Sequence, residues 1–254
     1  MTAPAAPSHR LIVTIDGPAG TGKSSVAQRL ARRLGLDFLD TGAMYRAAAA
    51  LALDHGIDPG DHNAVLETTM AADMHFDFTR DPPALVAAGA EMTRRLRDAD
   101  VTAVVSTIAG NPSLRRYMVR QQRAIAAGHP RLVTEGRDQG SVVFPDAEAK
   151  FYLEASPRVR GSRRAAQLRA GGRVVDEAAL VREIIERDRS DSTRSDGPLV
   201  CPPDAERIDT SDVSLDEVVD LLERRVRTRC GHALEGGGGV VVPRPARQPR
   251  TGRA

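Results

Sequence analysis

The stretch Leu11 to Ser25, LIVTIDGPAGTGKSS, constrains this chain more than any other. Leu11-Ile12-Val13-Thr14-Ile15 is an apolar, β-branched run of the kind that forms a buried parallel strand. It leads into Gly17-Pro18-Ala19-Gly20-Thr21-Gly22-Lys23-Ser24, which fits G-x-x-x-x-G-K-[ST] at every defined position. Behind it, Val26, Leu30 and Leu34 recur at helical spacing. Strand, glycine loop and helix in that order are the context of a phosphate-binding loop, and they argue against an incidental glycine turn. Glycines let successive backbone N–H groups turn toward one anion, and the helix N-terminus adds partial positive charge. Lys23 would reach the β- and γ-phosphates, and Ser24 would ligate Mg²⁺. The chain has only two lysines, Lys23 and Lys150, and writes its other positive charges as arginine. Lysine therefore stands where a compact ammonium is wanted and a planar guanidinium would not fit.

Composition narrows what such a chain can do. At 254 residues it can hold one α/β domain with an insertion. A net charge of +2 with interspersed signs, and an aromatic content of 3%, argue against a nucleic-acid binder. No stretch approaches the eighteen or so apolar residues that a membrane-spanning helix needs. Cys201 and Cys230 have no metal-ligand spacing, and the opening residues lack the apolar segment of a signal peptide, so a reduced cytoplasmic setting is expected.

Residues 1–9 read as a mobile Ala/Pro arm and residues 10–230 as the folded domain. After the P-loop unit, Leu36 to Asp40 is a short strand that runs into a helix starting at Asp40-Thr41-Gly42-Ala43-Met44-Tyr45-Arg46. Asp40 or Thr41 could cap that helix, while Tyr45 and Arg46 lie at the strand end where open α/β sheets bind ligands. Residues 56–100 read as a small β-rich insertion, with strands at Thr68-Thr69-Met70, Met74 to Phe78 and Ala84 to Ala90. Val101 to Ala127 is helical, with a break at Asn111-Pro112. Arg131 to Glu135 and Ala149 to Glu154 are further parallel strands. Glu135 could hold Mg²⁺ through water, and Arg137 and Asp138 in the following loop could face a ligand or simply pair with one another. Residues 157–172 carry an arginine cluster and end at Gly171-Gly172, the pattern of a basic flap over phosphates. On the next helix Arg187, Asp191 and Arg194 share one face if the helix persists that far. A last strand at Glu206 to Asp209 precedes a closing amphipathic helix, Ser211 to Arg229. Residues 231–254 are rich in Gly, Pro and Arg without periodicity and read as a disordered tail.

Taken together, IDGPAGTGKSS, LDTGAMYR, EGRDQGSVVFPDA, RDRSDSTR with Pro198-Leu199, and Ile208-Asp209-Thr210-Ser211 resemble the bacterial cytidylate kinases, within the nucleoside monophosphate kinases. The resemblance runs from about Leu11 to Arg227. It implies a three-layer α/β P-loop kinase with a central parallel sheet, a β-rich monophosphate-binding insertion and a helical lid. It implies that Gly17, Pro18, Ala19, Gly20, Thr21, Gly22, Lys23, Ser24 and Ser25 bind ATP, and that CMP or dCMP takes the γ-phosphoryl group with Mg²⁺ at Ser24 and Glu135. By position, Ser106, Arg115 and Asp138 would contact cytosine. Arg187 and Asp191 would hold the ribose, and Arg46, Arg137 and Arg194 the acceptor phosphate. Thr41 and Tyr45 would line the pocket. Arg160 and Arg164 in the lid would join Lys23, Arg137 and Arg194 in neutralising the transferring group. Gln139 departs from the family, which usually has an apolar residue there. The expected partners are small-molecule nucleotides, with no nucleic acid and no membrane, and the expected state is a monomer. The rivals are a P-loop kinase of another monophosphate or small metabolite, and a non-kinase nucleotide switch. The guanine-reading motif N-K-x-D cannot occur, because Lys150 follows Ala149.

Overall fold

The apolar run at the start of the chain forms the middle strand of a five-stranded parallel sheet. In the computed structural model, which describes residues 10–235, the main strands are β1 (Leu11–Asp16), β2 (Asp37–Asp40), β6 (Arg131–Gly136), β7 (Ala149–Glu154) and β8 (Glu206–Asp209). Their order is β2-β6-β1-β7-β8, and every neighbouring pair is parallel. Alternation along β1 explains the layers on either side. Leu11, Val13 and Ile15 pack with Val26, Leu30 and Leu34 of α1 (Lys23–Leu34) and Val218, Val219, Leu222 and Val226 of α8 (Leu215–Glu235). Ile12 points the other way, with Leu39, Leu132, Val143 and Phe144. A strand buried on both faces has no polar side to present, which is why its sequence is continuously apolar.

A second core holds the other half of the molecule. It joins α2 (Thr41–Asp54), α4 (Ala99–Ala109) and α5 (Pro112–Gly128) to an antiparallel sheet of β3 (His75–Asp77), β4 (Ala84–Ala87) and β5 (Ala90–Glu91). Ala47 to Ala50 are all buried, so α2 packs on every side, and small side chains let its neighbours approach. The expected break between α4 and α5 is present, with Asn111 accepting from the Ser113 and Leu114 N–H groups.

The structure corrects the sequence reading in four places. The strand expected over Ala84 to Ala90 is split by a turn at Ala88-Gly89 into β4 and β5. The helix expected to carry Arg194 on the face of Arg187 and Asp191 ends at Thr193, and Arg194 follows it in extended backbone. Thr68-Thr69-Met70 lies in a helix, α3 (His62–Ala71), not in a strand. Asp61 caps that helix, Val65 and Thr69 bury one face, and the Thr69 hydroxyl donates to the Val65 carbonyl at 2.7 Å. Packing on that face overrides the strand preference of the β-branched residues. The closing helix continues past Gly231 to Glu235, with Cys230 off helical geometry, so the boundary expected at residue 231 lies further on. The arm expected at residues 1–9 and the rest of the expected tail, 236–254, lie outside the described residues. The lid expected at 157–172 is α6 (Pro157–Ala170), which turns at Gly171-Gly172 and packs against α7 (Glu177–Thr193) as a helical hairpin.

Candidate active site

Parallel strands deliver their C-terminal ends to one edge of the sheet. Here those ends carry Asp16, Asp40 and Glu135, with Asp40 in register with Glu135 and Asp16 with Gly136. The P-loop joins β1 to α1 beside them. Within it the Thr21 hydroxyl and the Lys23 ammonium donate to the Pro18 carbonyl at 3.1 and 2.7 Å. Burial, reinforced by nearby Arg137, pushes Lys23 down to about 7. An anion on the loop would reverse that shift, because an opposite charge favours the ammonium form. Ser24 and Ser25 are exposed at the start of the helix, and Ser24 donates to Glu135 Oε1 at 2.7 Å. Thr41 donates to the Glu135 carbonyl at 2.7 Å, and Asp40 caps α2 through Ala43 N–H. Burial and the adjoining Glu135 carboxylate push Asp40 up to about 7. Lys150, the other lysine, is buried in β7 and donates to Asp204 at 2.6 Å and to the Pro145 carbonyl at 2.5 Å.

The loop after β6 is held from beneath. Asp16 accepts from the Gln139 and Gly140 N–H groups at 2.9 and 2.7 Å, although burial raises its carboxyl to about 7. Gln139 is fully partnered: its Oε1 accepts from Thr134 at 2.9 Å and its Nε2 donates to Gln122 at 3.1 Å. A polar residue in the apolar position is thus matched by two polar neighbours, as a buried amide requires. The loop continues as one π-helical turn, Gln139–Val143.

Asp138 and Arg115 form a buried ion pair, with side-chain exposures of 6% and 5%. Arg115 also donates to the carbonyls of Ala109 and Gly197 at 3.2 and 3.4 Å, and its guanidinium lies 5.5 Å from the Tyr45 ring centroid. Burial raises the Asp138 carboxyl, with Arg115 and Arg194 opposing. Gly197, at φ +58°, comes so close that a Cβ would overlap both Arg115 and Asp138. Ser106 is half-buried on α4, one turn before Ala109.

Asp191 is the hub of the arginine set. One oxygen accepts from Arg137 Nε at 2.8 Å and the other pairs with Arg194. Arg187, one turn earlier on α7, is pushed down to about 10 by burial and by Arg137, and its Nε has no partner. Arg46 donates to the Leu96 carbonyl at 3.3 Å and to Thr102 at 3.1 Å. Burial lowers its pKa, and Arg164, Arg137 and Arg97 lower it further, so these guanidiniums form one positive field. Adjacent Arg137 and Asp138 therefore do not pair with each other, because each has a partner from another helix.

Arg160 departs from the expected flap arm. It is buried, donates to the carbonyls of Ala155 and Ala19 and forms an ion pair with Asp188, so it braces the hairpin instead of reaching from it. Arg164 lies one turn further along α6, near Gln167. The sequence reading missed Asp16, Thr102, Asp188, Gly197 and Arg97. Each acts through a neighbour distant in sequence, and the only local signal was Asp16, the acid that ends the P-loop strand.

Among the described residues no helix is long and apolar enough to cross a membrane, and no cluster of three His, Cys, Asp or Glu side chains could hold a metal by itself. The cytidylate kinase family profile matches residues 13–228. The chain is 44% identical over 222 residues to a cytidylate kinase of Mycobacterium avium (strain 104), covering 87% of this chain and 97% of that protein. It is 44% identical over 218 residues to a cytidylate kinase of Corynebacterium glutamicum, covering 85% and 94%. With a cytidylate kinase of Pelotomaculum thermopropionicum it shares 43% identity over 215 residues, covering 84% and 95%.

Proposed function

The chain belongs to the cytidylate kinase family, and on that premise we propose that it transfers the γ-phosphoryl group of ATP to CMP or dCMP, giving ADP and CDP or dCDP. The observation that carries this reading is the buried Arg115–Asp138 pair beside Tyr45, a carboxylate and a guanidinium held together. Cytosine offers a 4-amino donor to a carboxylate and an N3 acceptor to a guanidinium, which is the pattern such a pair can read. Ser106 adds a hydroxyl on the neighbouring helix. Arg187 and Asp191 hold the sugar. Arg46, Arg137 and Arg194 hold the acceptor phosphate, and Thr41 and Tyr45 line the space between.

On the donor side the backbone N–H groups of Gly17 to Ser25 and the Lys23 ammonium bind the phosphates of ATP. The donor set at Ser24 and Glu135 is all oxygen and fits Mg²⁺, which is held largely by substrate phosphates and water and takes few protein ligands. Ser24 and Glu135 would hold the ion, and it would supply neutralisation of the charge that builds up during transfer. The chain's own residues do the rest. Lys23, Arg137, Arg194 and Arg164 surround the transferring group with fixed positive charge, with Arg160 bracing them, and the acceptor oxygen is already ionised near neutral pH. No general base is needed, and the rate comes from in-line positioning and preorganised charge. The location is cytoplasmic and the working unit a monomer.

The test is a coupled assay of ADP formation from ATP with CMP, dCMP, UMP, AMP and shikimate as acceptors. CMP and dCMP are expected to be used at least ~10²-fold better than the others in kcat/KM, the scale a buried polar site gives. Equal use of UMP, or turnover with shikimate alone, overturns the reading.

A further inference from the structure

Helix α7 touches both halves of the proposed site through two acids three residues apart. Asp191 joins the acceptor arginines, as described. Asp188 faces the donor side, where its Oδ2 lies 2.6 Å from Arg160 Nη2. Arg160 in turn donates through Nη1 to the carbonyl of Ala19 in the P-loop at 3.2 Å and through Nε to Ala155 at 2.9 Å. Its side chain is 3% exposed, so these bonds are made where water competes little. The crest of the P-loop rests on the same residue: a Cβ at Gly20, where φ is +82°, would sit 3.2 Å from Arg160 Cβ. Asp188 Oδ1 and the adjacent Arg187 Nε are both buried without partners, so this stretch of α7 has bonding capacity in reserve.

We propose that Asp188 is a positioning residue that couples the two nucleotide sites, by tying the P-loop through Arg160 to the helix that orients Arg137 and Arg194. This rests on the reading of the acceptor site given above. A helical segment moves as a unit, so a change in Arg160 when nucleotide orders the P-loop reaches Asp188 and, one turn on, Asp191. Arg137 and Arg194 are then placed before the acceptor arrives, and the second nucleotide loses less freedom on binding than the first. Asp188 touches neither nucleotide. Its effect is confined to the dependence of one site on the other.

The experiment measures CMP affinity by calorimetry, with and without a non-hydrolysable methylene-bridged ATP analogue. In the unaltered chain the analogue should tighten CMP about tenfold, within the usual range of site-to-site coupling. In Asp188→Asn that factor should fall to about one, while CMP affinity without the analogue stays within about twofold. Asp188→Glu, which keeps the charge, should recover part of the factor. A folded Asp188→Asn that keeps the full factor overturns the proposal, as does a wild-type factor of one. A second measurement needs no variant and no CMP. Hydrogen exchange at residues 187–193 should slow when the ATP analogue alone is added, and slowing confined to the P-loop overturns the proposal. If CMP fails to bind the unaltered chain, the acceptor reading falls, and the exchange result still decides whether the donor site reaches α7.

Discussion

Replacing Asp138 by asparagine separates base reading from phosphoryl transfer. The Asp138 and Arg115 side chains are 6% and 5% exposed, so the exchange removes one partner of a buried pair. Breaking such a pair costs ~3–5 kcal/mol when the remaining charge is left bare. Arg115 is not left bare, because the carbonyls of Ala109 and Gly197 still accept from it at 3.2 and 3.4 Å. The loss for CMP should therefore be smaller, ~3–4 kcal/mol, or ~10²–10³ in kcat/KM. UMP behaves differently. In the proposed site its O4 would face a carboxylate, two acceptors with no proton between them, and each unpaired buried acceptor costs ~1–3 kcal/mol. An asparagine amide can turn its NH₂ toward O4 and remove that penalty. The CMP-to-UMP ratio should thus fall from at least ~10² to below ~10, while KM for ATP stays within about twofold. Acid should imitate the mutation, because a protonated Asp138 can also donate to O4. Burial holds this carboxyl above its usual range, so the ratio should decline as pH falls toward the acid side. Steady-state ADP release with both acceptors across pH gives every term. A ratio in Asp138→Asn equal to that of the unaltered chain refutes the base-reading assignment.

Lys23→Ala should lower kcat by ~10² or more with little change in thermal stability, if its ammonium is one of the preorganised charges proposed for the transferring group. Turnover within tenfold of the unaltered chain, from a folded variant, contradicts this. Gly197→Ala forces a left-handed alanine, ~1–2 kcal/mol, against Arg115 and Asp138, and should raise KM for CMP about tenfold without moving KM for ATP. An equal rise in both would point to general disruption. Asp16 gives a stability prediction for the ligand-free chain. Its carboxyl moves from 3.8 to about 7 on folding, so the folded state holds the extra proton between those values, and its contribution is lost as pH rises through them. Asp16→Asn removes that slope. Its deficit against the unaltered chain, by urea titration, should shrink between pH 5 and pH 8, and a deficit that widens contradicts the assignment.

The sequence revealed elements whose signal is local. The run from Leu11 to Ile15 is apolar on both faces because it is central, and the glycine loop needs its own backbone, so both could be read directly. The loop from Glu135 to Ser141 stood out by its charges. What stayed hidden depends on partners far along the chain. Whether Asp138 pairs with Arg137 or with Arg115 is decided by where α5 lies, 23 residues upstream. Gln139 looked like an exception until Thr134 and Gln122 came to either side of its amide. Arg160 looked like a flap residue because its acceptors are two backbone carbonyls and an acid on another helix, none of which its neighbours in sequence announce. Thr68 to Met70 misled because β-branched propensity is weaker than one buried helical face.

The placement of the two lysines makes the chain its own reporter. Amine-reactive reagents acylate ammonium groups and leave guanidiniums alone, so a surface whose positive charge is arginine gives them almost no side-chain background. Lys150 is shut in between Asp204 and the Pro145 carbonyl, and it serves as an internal reference that reacts when the sheet opens. Lys23 donates to the Pro18 carbonyl within the loop proposed above to bind ATP. It is as buried as Lys150, so it too reacts only when its surroundings open. The acylation rate at Lys23, read as a mass shift on its own peptide against that of Lys150, therefore reports the opening of the phosphate loop with no residue changed, and bound nucleotide should slow it.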